Sequence, residues 1–197
     1  MQFILLTISL LFQSDWNQAR RIDPIRFKEN IELKSYEISK SFKLNKFEYI
    51  LIGKNRPQNI ENEGFRMMYI RIDSSLENRS KIYISKPKGE AYVYNPYFFE
   101  FLDGEKLIII EEGYEFMSGI DIYRLTNGKI DFLGYVPVSG PNRNSVIEHV
   151  KVEKLKNEYN LSFSGQIEYE VASDNIIDGS TLSVSIINDQ LSIKLTK

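Results

Sequence analysis

The densest group of side chains that could do chemistry is a set of four carboxylates, Glu111, Glu112, Glu115 and Asp121. Paired carboxylates can serve as the acid and the base of glycoside hydrolysis, and their oxygens also suit Ca²⁺. Glu111 and Glu112 are neighbours on a strand-like segment, so their side chains point to opposite faces. The spacing therefore favours solvated acids, with an enzyme acting on polysaccharide through Glu112 or Glu115 as an alternative.

An aromatic stretch precedes these acids, with Tyr92, Tyr94 and Tyr97 at its start. Tyrosines on loops contact proteins and sugars with little loss of side-chain entropy. Phe99 and Phe101 fit a core strand better. For the three tyrosines, a binding loop and a core strand are both open interpretations.

A polar loop of residues 139–145 is the third candidate, because its Arg143 could bind a carboxylate, with Asn144 beside it. The loop lacks the spacing and the lysine of a phosphate-binding loop. The simpler interpretation is that this loop is an ordinary connection between two strand blocks.

Residue types that are scarce exclude several kinds of site. The sequence has no cysteine and one histidine, His149. Disulfides, thiolate metal sites and a cysteine nucleophile are therefore excluded. A single strand histidine is more typical of packing than of catalysis, and the acids of residues 174–178 lack the spacing of an EF-hand. We predict no metal, no cofactor and no catalytic residue.

The elements that must position these residues are predicted to be strands throughout. Aromatic residues make up 13% of the chain, which favours pleated surfaces, and only three residues are alanine, the best helix former. Turn dipeptides such as Asn127-Gly128 divide the chain into hairpins. The clearest block is a four-stranded meander: Phe98–Leu102, Lys106–Glu112, Gly119–Leu125 and Lys129–Val136.

Similar blocks occur on both sides of this meander, so the blocks span residues 38–85, 98–136 and 146–196. About twelve antiparallel strands in three four-stranded meanders predict an all-β, β-propeller-like fold. Propellers usually close with four or more blades, so this one would be incomplete. A partial blade from residues 15–37 or a second chain would then cover the open edges. A two-sheet sandwich and a lipocalin-like barrel are the alternatives.

If the blocks are blades, five connections open on one face of the molecule. They are residues 54–64, 86–97, 114–118, 137–145 and 166–180. Long loops on a rigid frame commonly carry binding. The predicted binding residues are Tyr92, Tyr94, Tyr97, Glu112, Tyr114, Glu115, Arg143 and Asn144.

The first residues have the character of a secretory signal. Residues 3–12 are apolar except for Thr7 and Ser9, and polar residues follow. This run is shorter than the roughly 20 residues that span a bilayer. We therefore predict a signal peptide at 1–14, export to the periplasm or outside, and one all-β domain at 15–197; without a signal, the protein would be cytoplasmic.

Charge is distributed unevenly along the chain. Residues 15–89 carry sixteen basic and ten acidic side chains, and residues 90–197 carry nine and seventeen. Chance and solvated strand faces explain this distribution, but it also suits a head-to-tail homodimer or a charged partner. The basic residues are scattered, which does not support nucleic-acid binding.

Together these features favour a non-enzymatic, exported binding protein whose partner is another protein or a glycan. An inhibitor or an immunity-type protein is one form of this. A barrel that carries an apolar ligand is an alternative. No integral membrane span is predicted.

Overall fold

Antiparallel β-sheets form the regular structure of the protein, as the computed structural model shows. The structure describes residues 16–26, 33–57, 63–72, 79–115, 118–170 and 176–196. The predicted signal peptide lies outside these residues. In the described part of the chain there is no α-helix, only three short 3₁₀ turns. The prediction of an all-β protein is therefore confirmed.

Eighteen strands are present in the described residues, more than the twelve or so that the hairpin pattern predicts. In chain order they are β1 (Asn17–Gln18), β2 (Arg20–Ile22), β3 (Ile25–Arg26), β4 (Tyr36–Lys43), β5 (Glu48–Asn55), β6 (Phe65–Ile72), β7 (Arg79–Ile84), β8 (Val93–Glu100), β9 (Lys106–Gly113), β10 (Ser118–Thr126), β11 (Lys129–Val136), β12 (Val138–Ser139), β13 (Val150–Leu155), β14 (Glu158–Phe163), β15 (Gln166–Tyr169), β16 (Ile176–Asp178), β17 (Leu182–Ile187) and β18 (Gln190–Leu195). The 3₁₀ turns are Pro141–Arg143, Ile147–His149 and Gly179–Thr181.

Four sheets are built from these strands. The first sheet has the order β3-β4-β5-β6-β7, the second β2-β8-β9-β10-β11, and the third β1-β13-β14-β17-β18. A small sheet, β12-β15-β16, completes the set. None of these sheets, as far as the structure describes them, closes into a barrel, so the barrel alternative is wrong.

The three large sheets share an N-terminal strap, residues 17–26. Its strands β1, β2 and β3 pair in turn with the first long strand of the third, second and first sheets. The strap therefore does not form a partial blade of its own, because it supplies one short edge strand to each large sheet instead.

Tight turns follow the sequence signals. Asn127 and Gly128 both have positive φ, 51° and 71°, as a two-residue turn between β10 and β11 requires. Asparagine and glycine are the residues that adopt this conformation most readily. The strongest hairpin signal in the sequence therefore lies at a real hairpin.

The second sheet lies between two hydrophobic cores because both of its faces are apolar. Alternate residues of β9 separate accordingly: Ile108 and Ile110 pack toward the first sheet, and Leu107 and Ile109 toward the third. All four side chains are fully buried. Continuous apolar strands of this kind are expected where a sheet is covered on both sides.

Three stretches differ from the prediction. Residues 86–97 are not one loop, because β8 begins at Val93 and pairs with β9. Pro96 is accommodated because β2 pairs only with Phe98–Glu100, so β8 is an edge strand at the proline. The described parts of residues 166–180 include β15 and β16 of the small sheet, and His149 ends a 3₁₀ turn rather than lying in a strand.

The outward face of the third sheet is polar. Along β14 and β17 the buried residues alternate with half-buried Asn160, Ser162, Ser183 and Ser185. The stack of large sheets thus ends on this side in a solvated surface. No helix of the described residues is long and apolar enough to cross a membrane.

Candidate functional site

The connections of the second sheet meet those of its neighbours at one end of the molecule, the loop end, formed by residues 85–92, 113–115, 118–119 and 137–146. Hydrogen bonds from their backbone N–H groups join them to nearby segments: Lys88 N donates to Phe65 O at 3.0 Å. Ser118 N donates to Glu170 Oε1 at 2.6 Å. The opposite end, the turn end, carries the tight hairpin turns near residues 104, 127, 157 and 188.

A cleft of about 180 Å³ opens at the loop end. Four of the eight predicted binding residues line it: Tyr92, Tyr97, Glu112 and Asn144. Its remaining walls come from the ends of β8, β9 and β10 and from residues 138–146. The cleft is smaller than a drug-sized pocket and fits one side chain or one sugar ring.

The rim of the cleft offers an aromatic ring and an amide. Tyr92 is 60% exposed, and Asn144 is also exposed, in the loop after the first 3₁₀ turn. Tyr97 is half-buried, and the Arg21 guanidinium of the strap lies 5.2 Å from its ring centroid. Arg21 is fixed in turn by an ion pair with Glu148 at 2.8 Å.

One wall of the cleft is stiffened by Glu111. Its Oε1 accepts hydrogen bonds from Ser145 Oγ at 2.7 Å and from the backbone N–H groups of Val146 at 2.6 Å and Ile147 at 3.2 Å. A buried carboxylate needs such donors. Glu111 thus fixes the loop that carries Asn144.

Glu112 points to the other face of the sheet, into a buried charge cluster that consists of Lys88, Glu112 and Asp121. Lys88 Nζ lies 2.7 Å from Glu112 Oε1 and 2.5 Å from Asp121 Oδ2. Tyr114 donates its hydroxyl to Glu112 Oε2 at 2.9 Å, and Tyr123 donates to Asp121 Oδ2 at 3.1 Å. The prediction of solvated acids is therefore wrong for Glu111, Glu112 and Asp121.

Burial governs the protonation of this cluster. The Glu112 and Asp121 side chains are 1% and 0% exposed. Burial, followed by a hydrogen bond and charge repulsion from Asp121, raises the pKa of Glu112 to about 8. Burial alone would lower the pKa of Lys88, but the two carboxylates raise it overall. Near neutral pH, Lys88 is therefore charged and Glu112 holds a proton.

The other predicted binding residues lie in different surroundings, and none of those whose side chains the structure describes lines the cleft. Tyr94 is 2% exposed and stacks on Phe65 with ring centroids 6.0 Å apart, so it belongs to the core. Tyr114 is half-buried against Glu112, whereas Glu115 is exposed and outside the cleft lining. The side chain of Arg143 lies outside the described residues.

Two members of the charge cluster are absent from the sequence-based site. Lys88 belongs to no recognisable motif. Asp121 was grouped with the other carboxylates but was not among the predicted binding residues. The strand period offered the missing signal, because Glu112 pairs with Gly119 and Asp121 lies two residues further on the same face.

Comparison of the chain with protein-family models, curated proteins and solved structures found no match. Among the described residues, no group of three histidine, cysteine or acidic side chains could hold a metal ion. The arrangement itself is therefore the basis for any functional argument.

Proposed function

We propose that the protein is a non-enzymatic binding protein that engages a protein or a glycan at the loop end. The observation that carries this proposal is the cleft, which gathers Tyr92, Tyr97, Glu111 and Asn144 from three separate stretches of the chain. The fixed walls and exposed aromatic rim suit recognition, because a preformed site loses little entropy on binding.

The surrounding frame supports the same proposal. We regard the three large sheets as an incomplete, propeller-like arc, held together by the strap and ended by the polar face of the third sheet. Such a frame is rigid, and it collects its longer connections at one end. Export of the protein, with residues 1–14 as its signal, remains part of the proposal.

The geometry does not favour the carboxylate-enzyme alternative. The side chains of Glu112 and Asp121 are 1% and 0% exposed and contact Lys88, whereas the two carboxyls of a glycosidase flank the substrate bond that is cleaved. Glu115 lies outside the cleft, so it does not supply a second acid there.

The proposal is tested by partner capture with matched variants. The intact chain is immobilised and exposed to envelope and culture fractions of the source cells, beside Tyr92→Ala/Asn144→Ala. Leu102→Ala is the control, because Leu102 is 89% exposed near the turn end.

We expect a partner that the intact chain and Leu102→Ala retain and that the double variant loses at least tenfold. Retention of every captured species by the folded double variant would refute a loop-end site.

A further inference from the structure

The buried charge cluster brings an amine and two carboxyls together from two neighbouring sheets. Lys88 lies in the connection after the first sheet, and Glu112 and Asp121 lie on β9 and β10 of the second. Glu112 faces Gly119, so Asp121 is its diagonal neighbour on the same face. The two acids and the lysine therefore converge from three different strands or loops.

The contact between Lys88 and Asp121 is short, and the carboxyl of Asp121 is fully buried. Nζ of Lys88 lies 2.5 Å from Oδ2 of Asp121, whose side chain is 0% exposed. In the described part of the chain, the second oxygen of Asp121, Oδ1, is buried without a hydrogen-bond partner. An ionised carboxylate with an unsatisfied, buried oxygen is costly, so this site favours any change that removes its charge.

Aromatic rings surround the amine. The ring centroids of Phe132 and Tyr135 each lie 5.9 Å from Nζ of Lys88. Tyr123 reaches Asp121 with its hydroxyl, and its ring packs at 5.1 Å from that of Phe132. These rings and the two carboxyls leave 19% of the Lys88 side chain exposed.

We propose that Lys88 and Asp121 condense into an amide bond between Nζ and Cγ once the chain has folded, with Glu112 transferring the proton. The bond forms once in each molecule and leaves Glu112 unchanged, so it is a self-modification and not an enzymatic turnover.

The step balances without any other reactant. The Lys88 ammonium first passes one proton to Asp121 Oδ2, which turns the ion pair into a neutral amine and a neutral acid. The Nζ lone pair then attacks Cγ, and the electrons of the C=O bond move onto its oxygen, to which the Glu112 carboxyl donates. Finally the departing hydroxyl takes the second proton of Nζ and the C–O bond breaks to release one water molecule, and the remaining C–OH returns its proton to Glu112 as the amide C=O re-forms.

Each part of this step matches a feature of the cluster. Glu112 lies beside both reactants, because its Oε1 lies 2.7 Å from Lys88 Nζ and Asp121 is its diagonal neighbour on the same face of the sheet. Its raised pKa keeps it protonated near neutral pH, as a proton donor must be. Because the fold already holds the amine and the acid in contact, the reaction does not have to supply the entropy cost of bringing them together.

Condensation is favoured here because the two carboxyls are buried. In water, both ions are solvated and the solvent opposes loss of water. In the cluster, the product replaces two buried charges by one neutral amide, which avoids their desolvation cost. The bond would fasten the connection after the first sheet to the second sheet in a chain that has no cysteine.

Mass spectrometry of the full chain tests this proposal. We expect the folded protein to be lighter by one water molecule than its sequence requires, and a protease digest to contain a branched peptide that joins Lys88 to Asp121. A folded protein with the full sequence mass and an unmodified Lys88 peptide, after prolonged incubation near pH 7, would overturn it.

Variants separate the roles of the three residues. Lys88→Met and Asp121→Ala should retain the full mass, whereas Asp121→Asn should lose ammonia in place of water and give the same branched peptide. Lys154→Met is the control, and it should still form the bond.

Glu112→Gln tests the proton transfer. We expect the bond to form at least tenfold more slowly in this variant, with folding confirmed by circular dichroism. Formation at the original rate would remove Glu112 from the step, and formation in Lys88→Met would assign the lost water to another place.

Discussion

Two lysines in this protein have the same kind of neighbours and different surroundings. Lys88 at the loop end contacts Glu112 and Asp121, and Lys154 at the turn end contacts Asp103 at 2.6 Å and Glu105 at 2.9 Å. Both amines also lie within 6 Å of two aromatic ring centroids. Composition alone would treat these two clusters as equivalent.

Solvent access to the carboxylates distinguishes them. The Asp103 side chain is 57% exposed, whereas those of Glu112 and Asp121 are 1% and 0% exposed. At the turn end, water solvates the excess negative charge. At the loop end the excess charge must be neutralised by a proton or removed by a bond. The comparison shows that access of water, rather than the set of charges, determines what a cluster can do.

Replacing each lysine should give the largest difference in stability between the two clusters. Lys88→Met leaves two buried carboxyls without their cation, so we expect a loss of about 3–5 kcal/mol in the free energy of unfolding. Lys154→Met leaves a partly solvated pair, and we expect about 1 kcal/mol. Urea denaturation measures both values, and equal losses would refute the comparison.

Alkaline pH provides the next test. The folded chain holds a proton on Glu112 up to about pH 8, and the unfolded chain releases it near the ordinary value of 4.5. Folding therefore takes up a proton between these values, and stability falls as the pH rises through them. We expect a decline on the order of 5 kcal/mol, because the two pKa values differ by about 3.5 units and each unit is worth about 1.4 kcal/mol.

This decline should disappear in Glu112→Gln and remain in Glu105→Gln, its turn-end counterpart. Burial is the first cause of the raised pKa of Glu112, so the sign of the effect is the same with or without the amide bond. Urea denaturation at a series of pH values measures the slope. A slope that Glu112→Gln leaves intact would assign it to another group.

Acid pH should affect the turn end in the opposite direction. Partial burial opposes ionisation of Asp103, but its hydrogen bond from Lys154 lowers the pKa below the ordinary 3.8. Its contribution is therefore present above pH 3.8 and is lost as the pH falls through the lowered value. Asp103→Asn should cost less than about 1 kcal/mol at pH 7 and flatten the acid limb of thermal denaturation. An unchanged acid limb would contradict this.

Salt gives the smallest expected effect. Arg124 at the turn end pairs with Asp189 at 2.6 Å and with Asp131 at 3.0 Å, and the Asp189 side chain is 56% exposed. At 1 M NaCl the screening length falls to about 3 Å, so the cost of Arg124→Met should shrink by a few tenths of a kcal/mol. The cost of Lys88→Met should be the same at both salt concentrations. A salt-dependent cost at Lys88 would indicate that water reaches the loop end.

The sequence predicted the parts of the fold that depend on local signals. Strand alternation and the Asn127-Gly128 turn are properties of a few adjacent residues, and the hairpins follow from them. The pairing of residues 17–26 with three different sheets was not predictable, because it depends on partners far away in the chain.

The same limit applies to the loop end. Tyr92 and Asn144 were chosen because loop tyrosines and polar loops commonly bind, and both line the cleft. Tyr94 was misjudged, because a tyrosine in an apolar strand is buried as readily as a phenylalanine. Lys88 could not be found, since its partners come from two strands of a different sheet.

The N-terminal strap has a consequence for the order of events during synthesis. Asn17 pairs with Lys154, Arg20 with Glu100 and Ile25 with Lys43, so the earliest residues of the strap need the latest partners. As the chain emerges from the ribosome, the strap can pair with the first sheet early, but it can pair with the third sheet only after residue 154 is made. Until then β1 has no partner, so the strap pairs first at its C-terminal strand and last at its N-terminal strand.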